Sequence, residues 1–303
     1  MASQKNAANA EKLFGIKLDY KLEKFAESTD LVPAIDDKYV FNQEVTPALL
    51  AGFHYNKRVL LQGLHGTGKS THIEQIAARL NWPCIRVNLD SNITRIDLVG
   101  RDVINLRDGK QITEFQEGIL PYAIRRPIAL IFDEYDAGRP DVMFVIQRLL
   151  EQDGKFNLLD KNETITPHID FRIFATANTV GLGDDHGIYH GTALINQGQL
   201  DRFQIVANLD YIAENDEVKI IAAKFPAFKK QQLQELVAMA NLTRQAFKAG
   251  EISTLMSVRT VLAWAENIQI FANVKQAFDY AFLNRCDNEE KNIITELYQR
   301  IFG

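Results

Sequence analysis

Hydrophobic and polar positions alternate between two spacings over most of the chain. Short apolar runs predict five strands, at 58–62, 84–88, 128–132, 171–176 and 204–208. Apolar residues at helical spacing predict two helices between them, at 68–81 and 139–152. Strands that alternate with helices form a parallel sheet with helices packed on both faces. We therefore predict an α/β fold with a parallel five-stranded sheet.

Two polar stretches interrupt this alternation. Turn signals at Arg107-Asp108-Gly109 and Asp160-Lys161-Asn162 predict β-hairpins inserted near 102–115 and 155–168. After about residue 212 only helical spacing remains. The pattern therefore predicts inserted hairpins within the first part of the chain and helices alone in the last part.

These changes of pattern predict three regions. The α/β core is expected at 35–210 and an all-α lid domain at 211–303. Residues 1–30 are polar and compatible with a helix, and Val32-Pro33 would end any helix there. We expect residues 1–34 to form a partly mobile N-terminal extension, with ordered structure beginning near residue 35.

Composition and charge exclude several classes of protein. The 303 residues are 46% hydrophobic and 24% charged, as in ordinary globular proteins. The net charge of −5 argues against a nucleic-acid partner, because such proteins carry a basic face. No apolar run approaches the roughly 20 residues that span a bilayer. Cys84 and Cys286 lie far apart and form no Cys-x-x-Cys pair, which favours a reducing cytoplasm.

The segment after the first predicted strand has the pattern of a phosphate-binding loop. Residues 63–70 read Gly, four residues, then Gly-Lys-Ser. Glycines let backbone N–H groups face phosphate oxygens, and the next helix presents its positive N-terminus to them. The pattern predicts a nucleoside triphosphate as the ligand, with Mg²⁺ on the Ser70 hydroxyl. The candidate nucleotide-binding residues are Gly63, His65, Gly66, Thr67, Gly68, Lys69, Ser70 and Thr71.

Two carboxylates end the strand predicted at 128–132. Ligands bind at the carboxyl ends of parallel strands, so Asp133 is expected to reach the Mg²⁺ that Ser70 holds. Glu134, the next residue, is expected to orient and deprotonate the attacking water. An acidic loop after a strand is the alternative, and the phosphate-binding pattern upstream disfavours it.

Three further polar residues are candidates for catalysis. Asn178 follows a predicted strand and can hydrogen-bond the γ-phosphate or the water. Arg202, in Leu200-Asp201-Arg202-Phe203, can reach a nucleotide on a neighbouring subunit, in trans. Arg259, in the helical region, can close on the nucleotide from the lid side. Taken alone, Asn178 is equally consistent with a polar strand end, and a surface salt bridge is the default interpretation of either arginine.

The order of these motifs resembles that of AAA+ P-loop ATPases, and the two hairpins resemble the inserts of their MoxR and magnesium-chelatase branch. Longer strings are similar to the CobS family of aerobic cobaltochelatase subunits. They lie at 65–75, 81–91, 133–147 and 175–184. The similarity runs from about residue 30 to Gly303.

This resemblance implies an ATP-hydrolysing ring of identical subunits, expected to be a hexamer. With CobT-like and CobN-like subunits it would insert Co²⁺ into hydrogenobyrinic acid a,c-diamide during aerobic cobalamin biosynthesis. It also implies Lys69 and Ser70 as Walker A, Asp133 and Glu134 as Walker B, Asn178 as sensor 1, Arg202 as the arginine finger and Arg259 as sensor 2. One departure is Val258, where the family's lid motif has proline.

Alternative functions remain open at this point. An orphan or virus-borne copy, acting as a MoxR-type remodeller of another client, would keep the same ATP chemistry. A DNA-directed AAA+ motor is disfavoured by the acidic charge, and a module that only assembles on ATP is disfavoured by Glu134.

A second candidate metal site lies within the loop from Gly181 to Gly191. Its potential cobalt ligands are Asp184, Asp185, His186 and His190. Four glycines make a helix there unfavourable, so the two histidines do not share a helical face. A glycine-rich loop is the favoured interpretation.

Overall fold

The structure, a computed structural model, describes residues 4–90, 92–108, 110–151, 153–178 and 197–303. Its strands are β1 Lys5–Ala8, β2 Leu22–Phe25, β3 Val59–Gln62, β4 Cys84–Asn88, β5 Gly100–Arg107, β6 Lys110–Glu117, β7 Ala129–Asp133, β8 Phe156–Leu158, β9 Glu163–Ile165, β10 Arg172–Ala177 and β11 Ile205–Asn208. Its helices are α1 Ala10–Phe14, α2 Thr46–Tyr55, α3 Lys69–Arg79, α4 Arg95–Val99, α5 Ile119–Ile124, α6 Pro140–Leu150, α7 Gln197–Leu200, α8 Glu214–Lys224, α9 Lys230–Lys248, α10 Val258–Phe271, α11 Val274–Ala281 and α12 Asn288–Phe302.

The central sheet has five parallel strands in the order β11-β3-β10-β7-β4. The five strands predicted from the apolar runs are confirmed, each end within one residue of its expected position. The two predicted helices correspond to α3 and α6, with ends within two residues. The predicted α/β fold with a parallel sheet is therefore confirmed.

Both faces of the sheet are buried, as in other parallel sheets. Strand β7 illustrates this, because its side chains alternate between two hydrophobic cores. Leu130 and Phe132 pack with α5 and α6 on one face. Ala129 and Ile131 pack with α2 and α3 on the other. Such double burial gives the continuous apolar run that identified this strand in the sequence.

Ordered structure begins before residue 35, so that expectation is wrong. Strands β1 and β2 pair antiparallel, and Phe14, Leu22 and Phe25 are buried in the core on the α2 and α3 face. The ring of Phe25 packs against Trp82 at a centroid distance of 4.7 Å. These apolar residues are spread over a helical turn and two short strands, so they match neither the helical nor the strand period.

Both predicted hairpins are confirmed. The first pairs β5 with β6 and is longer than expected, reaching from Gly100 to Glu117. Asp108 turns it with a φ of 52°. The second pairs β8 with β9. Large apolar side chains on the first hairpin stay exposed, among them Ile104 and Leu106.

Helices α8 to α12 enclose a separate hydrophobic core around Trp264 and Phe278, as the helical spacing predicts. The proposed division at residues 210 and 211 falls between β11 and α8 and remains a proposal. No helix within the described part of the chain combines the length and the hydrophobicity that crossing a membrane requires.

A buried ion pair joins helices α8 and α9. The two guanidinium Nη atoms of Arg244 donate to the Glu217 carboxylate at 2.7 and 2.8 Å. The Arg244 Nε donates to the Met256 carbonyl just before α10, at 2.9 Å. Glu217 is 0% exposed and Arg244 4%. The pair therefore ties three parts of the helical region together.

Arg244→Ala is expected to lower the free energy of unfolding by about 3 to 5 kcal/mol, because it leaves the Glu217 charge buried without its partner. Lys248→Ala, which removes an exposed ion pair with Asp210, is the matched control and should cost at most about 1 kcal/mol. Chemical denaturation of both variants measures the difference. Equal losses would mean that the buried pair adds nothing beyond a surface contact.

Candidate functional site

The loop between β3 and α3 has a backbone that only glycines adopt readily. Gly66 and Gly68 have φ values of 75° and 88°, in the left-handed region. A Cβ atom on Gly66 would lie 2.3 Å from the Cβ of Ser257, in the helical region. The loop therefore packs closely against the start of α10 and leads directly into the N-terminus of α3, where N–H groups attract an anion.

Lys69 is the first residue of α3 and is folded back over this loop. Its Nζ donates to the carbonyls of Gly63 at 2.7 Å and Leu64 at 3.0 Å, and to Asn178 Oδ1 at 2.8 Å. Burial lowers the pKa of Lys69 to about 8, although nearby carboxylates, Asp136 first, oppose the shift. Added phosphate charge would favour the ammonium form. Thr67 stabilises the loop by donating its hydroxyl to the Leu64 carbonyl at 2.9 Å.

Asp133 ends β7 beside the start of α3. One of its carboxylate oxygens, Oδ1, accepts hydrogen bonds from the hydroxyls of Ser70 and Thr176. Burial opposes ionisation of Asp133. Its pKa is nevertheless lowered, because hydrogen bonds from Ser70, Thr176 and Arg86 and the Arg86 charge outweigh burial. The structure thus brings the two residues predicted to bind Mg²⁺ into contact with each other.

Arg86 is part of this cluster, although the sequence analysis did not single it out. Its Nε donates to the second Asp133 oxygen, Oδ2, at 2.8 Å, and its Nη2 donates to the same atom. Strand β4 places it there by pairing with β7, with Asn88 opposite Asp133. A charged side chain in the middle of a predicted strand was the available signal in the sequence.

Glu134 has a strained backbone at the mouth of the site. Its φ of 56° and ψ of 48° are left-handed, which costs a non-glycine residue about 1 to 3 kcal/mol. Its N–H donates to the Thr176 hydroxyl at 3.2 Å, which helps to hold this conformation. Burial, then the charges of Asp133 and Asp136, raises the pKa of the Glu134 carboxyl. A carboxylate with a raised pKa is suited to accept a proton.

Asn178 follows β10 and lies in the site. Besides accepting from Lys69, it donates its backbone N–H to Asp136 Oδ2 at 2.9 Å. Asp136 is 1% exposed and was missed in the sequence. Its position two residues after Glu134, in the turn that follows β7, was the available signal. Asp136 fixes the backbone of Asn178, so the Asn178 amide is held beside Lys69.

A cavity of about 200 Å³ lies between the loop and the helical region. Its walls include Gly66, Thr67, Gly68 and Thr71 of the loop and α3, Tyr39, and Val258 and Arg259 at the start of α10. Burial, followed by the charges of Lys69 and Arg259, lowers the pKa of His65, so Arg259 acts on the loop electrostatically. Ser257 caps α10 by accepting from the Thr260 N–H at 3.2 Å. This cap starts the helix although Val258 replaces proline.

Tyr211 connects the loop to the helical region. Its hydroxyl donates to the His65 carbonyl at 2.7 Å. The Arg244 guanidinium lies over its ring, 4.0 Å from the centroid. The phosphate-binding loop is therefore in contact with the buried Arg244–Glu217 pair through a single aromatic side chain.

Arg202 lies away from these residues. It precedes β11, whose first residue, Ile205, pairs with Val59 at the start of β3. The loop follows the other end of β3, about 13 Å further along the strand. The Arg202 Nε donates to Glu151 at 2.7 Å. Arg202 therefore lies near the amino-terminal ends of the sheet strands, and the loop lies at their carboxyl ends.

The candidate cobalt ligands Asp184, Asp185, His186 and His190 lie outside the described residues.

Comparisons with known proteins match both parts of the chain. Residues 58–189 match the family described as AAA domain (dynein-related subfamily), and residues 217–300 match CbbQ/NirQ/NorQ C-terminal. Aerobic cobaltochelatase subunit CobS of Sinorhizobium sp is 54% identical over 299 residues, covering 97% of this chain and 90% of CobS. Midasin of Dictyostelium discoideum is 28% identical over 81% of this chain, which spans only 4% of midasin.

A solved structure supports the fold. The RuvB Holliday junction branch migration motor of Thermotoga maritima superposes with a TM-score of 0.51 at 14% identity. The superposition covers 89% of this chain and 72% of RuvB. At that identity the likeness extends to the AAA+ fold alone.

Proposed function

Because the chain belongs to the CobS family of aerobic cobaltochelatase subunits, we propose that it is the ATP-hydrolysing ring subunit of a cobaltochelatase. With CobT-like and CobN-like partners it drives insertion of Co²⁺ into hydrogenobyrinic acid a,c-diamide in aerobic cobalamin biosynthesis. The observation that carries the ATPase assignment is the cluster of Lys69, Ser70, Asp133 and Asn178 at the carboxyl ends of adjacent strands.

ATP binding begins at the loop. The backbone N–H groups before α3 take the phosphates, and Lys69 turns from the loop carbonyls to the β- and γ-phosphates. Arg259 and Thr71 face the same cavity from opposite sides. His65 and Thr67 shape the loop that encloses the nucleotide. The lid therefore closes on the nucleotide through Arg259.

The donor set fits Mg²⁺. Ser70 and Asp133 offer a hydroxyl and a carboxylate oxygen in contact with each other, and hard oxygen ligands are those that Mg²⁺ prefers. When bound, Mg²⁺ neutralises charge on the phosphates. Glu134 accepts the proton of the attacking water, and Asn178 orients the water or the γ-phosphate.

Arg202 acts on the nucleotide of a neighbouring subunit. Within its own chain, Arg202 lies at the end of the sheet opposite the loop. The nucleotide site of a single subunit therefore lacks the positive charge of this arginine. A ring, which we propose to be a hexamer, places one subunit's Arg202 beside the next subunit's ATP. The ion pair with Glu151 keeps the side chain in place before assembly.

Mixing two inactive variants tests the trans arrangement. Arg202→Ala subunits keep the intact loop, and Lys69→Ala subunits keep the intact arginine. Mixed interfaces are expected to recover part of the ATPase activity that each variant alone has lost. The control mixture combines Lys69→Ala subunits with Arg148→Ala subunits in place of Arg202→Ala. Arg148→Ala removes an exposed arginine bound to Asp153. A mixture no more active than the sum of its components would mean that Arg202 acts in cis or only structurally.

Cobalt insertion is proposed on the family relationship, and the reaction is assigned to the cytoplasm because the two cysteines are unpaired. The experiment that tests this proposal reconstitutes Co²⁺ insertion with and without this chain and follows it by corrinoid absorbance. Loss of Co²⁺ insertion when this chain is omitted would support its role as a cobaltochelatase subunit. Insertion that proceeds unchanged without it favours a MoxR-type remodeller of another client.

A further inference from the structure

The second carboxylate oxygen of Asp133 is already engaged by Arg86. We propose that Arg86 is a positioning residue that leaves Asp133 one oxygen for the bound cation and thereby makes the site select Mg²⁺ over Ca²⁺. This inference rests on the proposed function, because it takes Asp133 and Ser70 as the cation site. It adds a residue and a selectivity that the phosphate-binding motif does not contain.

The two Asp133 oxygens have different partners. Oδ1 faces the Ser70 and Thr176 hydroxyls, on the side of the phosphate-binding loop. Oδ2 accepts from both Nε and Nη2 of Arg86. Two guanidinium donors that converge on one oxygen occupy that oxygen with charge-assisted hydrogen bonds and leave the other oxygen free of the arginine. Asp133 therefore offers Oδ1 to Ser70, while Arg86 occupies Oδ2.

Arg86 is itself held from a third side. Its Nη1 lies 4.0 Å from the Glu74 carboxylate on α3. This helix also carries Lys69 and Ser70, so Arg86 spans from the acidic strand β7 to the helix behind the phosphate-binding loop. Its side chain is 42% exposed. The contacts define its orientation, while the exposure means that replacing it leaves the cores of the sheet intact.

A carboxylate that offers a single oxygen favours Mg²⁺ over Ca²⁺. Mg²⁺ requires near-ideal octahedral geometry and accepts single oxygens from carboxylates. Ca²⁺ takes 6 to 8 ligands and gains from carboxylates that offer both oxygens. A carboxylate whose second oxygen is occupied therefore suits Mg²⁺ and withholds a ligand from Ca²⁺.

The charge of Arg86 has a separate effect from its orientation. A guanidinium beside the site repels Mg²⁺ and Ca²⁺ alike, so removing it should raise the affinity for both. Only the restriction on Asp133 Oδ2 discriminates between them. The ratio of the two affinities is therefore the quantity that isolates the proposed role.

The test measures the dissociation constant of a fluorescent ATP analogue with Mg²⁺, with Ca²⁺ and with EDTA. The variants are Arg86→Gln, which removes the charge and the two-bond contact, and Arg86→Lys, which keeps the charge alone. Arg148→Gln is the matched control, because Arg148 holds Asp153 through two bonds at the surface, at 2.7 and 2.9 Å. Nucleotide binding requires no hydrolysis, so the readout is independent of turnover.

We expect the wild type and Arg148→Gln to bind nucleotide more tightly with Mg²⁺ than with Ca²⁺. In Arg86→Gln this preference should fall about tenfold, the usual scale for losing a residue that orients a metal ligand. Arg86→Lys should lose most of the preference as well, since a strongly hydrated ammonium on a flexible stem does not hold Oδ2 as two guanidinium donors do.

An unchanged Mg²⁺ to Ca²⁺ ratio in Arg86→Gln would overturn the inference. A wild-type ratio in Arg86→Lys would also overturn it, because charge alone would then set the selectivity. In both cases the wild type still depends on the cation and the proposed ATP site stands. Wild-type binding that is equal with Mg²⁺ and with EDTA would instead remove the cation site, and this inference with it.

Discussion

Glu134→Gln is expected to bind ATP as the wild type does and to hydrolyse it about 10² to 10⁴ times more slowly, the usual loss for a general base. Glutamine has nearly the same shape but cannot accept the proton of the attacking water. Glu134 directly follows Asp133 at the end of β7, and its backbone is left-handed. The raised pKa of the carboxyl, caused first by burial, favours proton transfer.

Steady-state phosphate release measures the loss, and a fluorescent ATP analogue measures binding. Glu296→Gln, an exposed glutamate on α12, makes the same chemical change far from the candidate site and should retain full activity. Hydrolysis by Glu134→Gln at the wild-type rate would show that another group handles the water.

Lys69→Ala is expected to weaken nucleotide binding itself, by about 10- to 100-fold, the worth of a hydrogen bond to a charged group. The ammonium lies among the loop carbonyls and Asn178, where the phosphates arrive. Titration with the same analogue measures the change.

Lys291→Ala, on α12, serves as the control because its Nζ donates to the Asn288 side chain at the exposed start of that helix. The contrast with Glu134→Gln is informative, since one variant should lose affinity and the other only turnover. Unchanged affinity in Lys69→Ala would place the nucleotide elsewhere.

The sheet and the motif residues were predictable because their signals are local in sequence. A buried parallel strand is a continuous apolar run, and the phosphate-binding loop is defined within eight consecutive residues. Asp133 was found because it ends such a run. The contact between Ser70 and Asp133 follows once both are assigned to the carboxyl ends of parallel strands.

The rest of the site depends on which strands are neighbours, which chain order does not specify. Thr176 and Arg86 reach Asp133 because β10 and β4 flank β7. Neither residue lies in a sequence motif that predicts this contact. The N-terminal strands were missed for a different reason, since their few apolar residues follow neither period and are buried in a core shared with distant elements such as α2 and Trp82.

Arg202 shows where the sequence motif and the single chain differ. The motif predicted an arginine that reaches a nucleotide. The sheet register places Arg202 at the end of the strands opposite the phosphate-binding loop of the same chain. Its trans role therefore stays a prediction that depends on a second copy of the chain.

The most direct test of the central claim, that ATP hydrolysis by this chain drives metal insertion, follows corrinoid absorbance in a mixture of this chain with CobT-like and CobN-like subunits. Co²⁺, ATP and hydrogenobyrinic acid a,c-diamide are supplied as substrates. We predict insertion with the wild type and none above background with Glu134→Gln, which still binds ATP. Insertion at the full rate with Glu134→Gln, or without this chain, would contradict the claim.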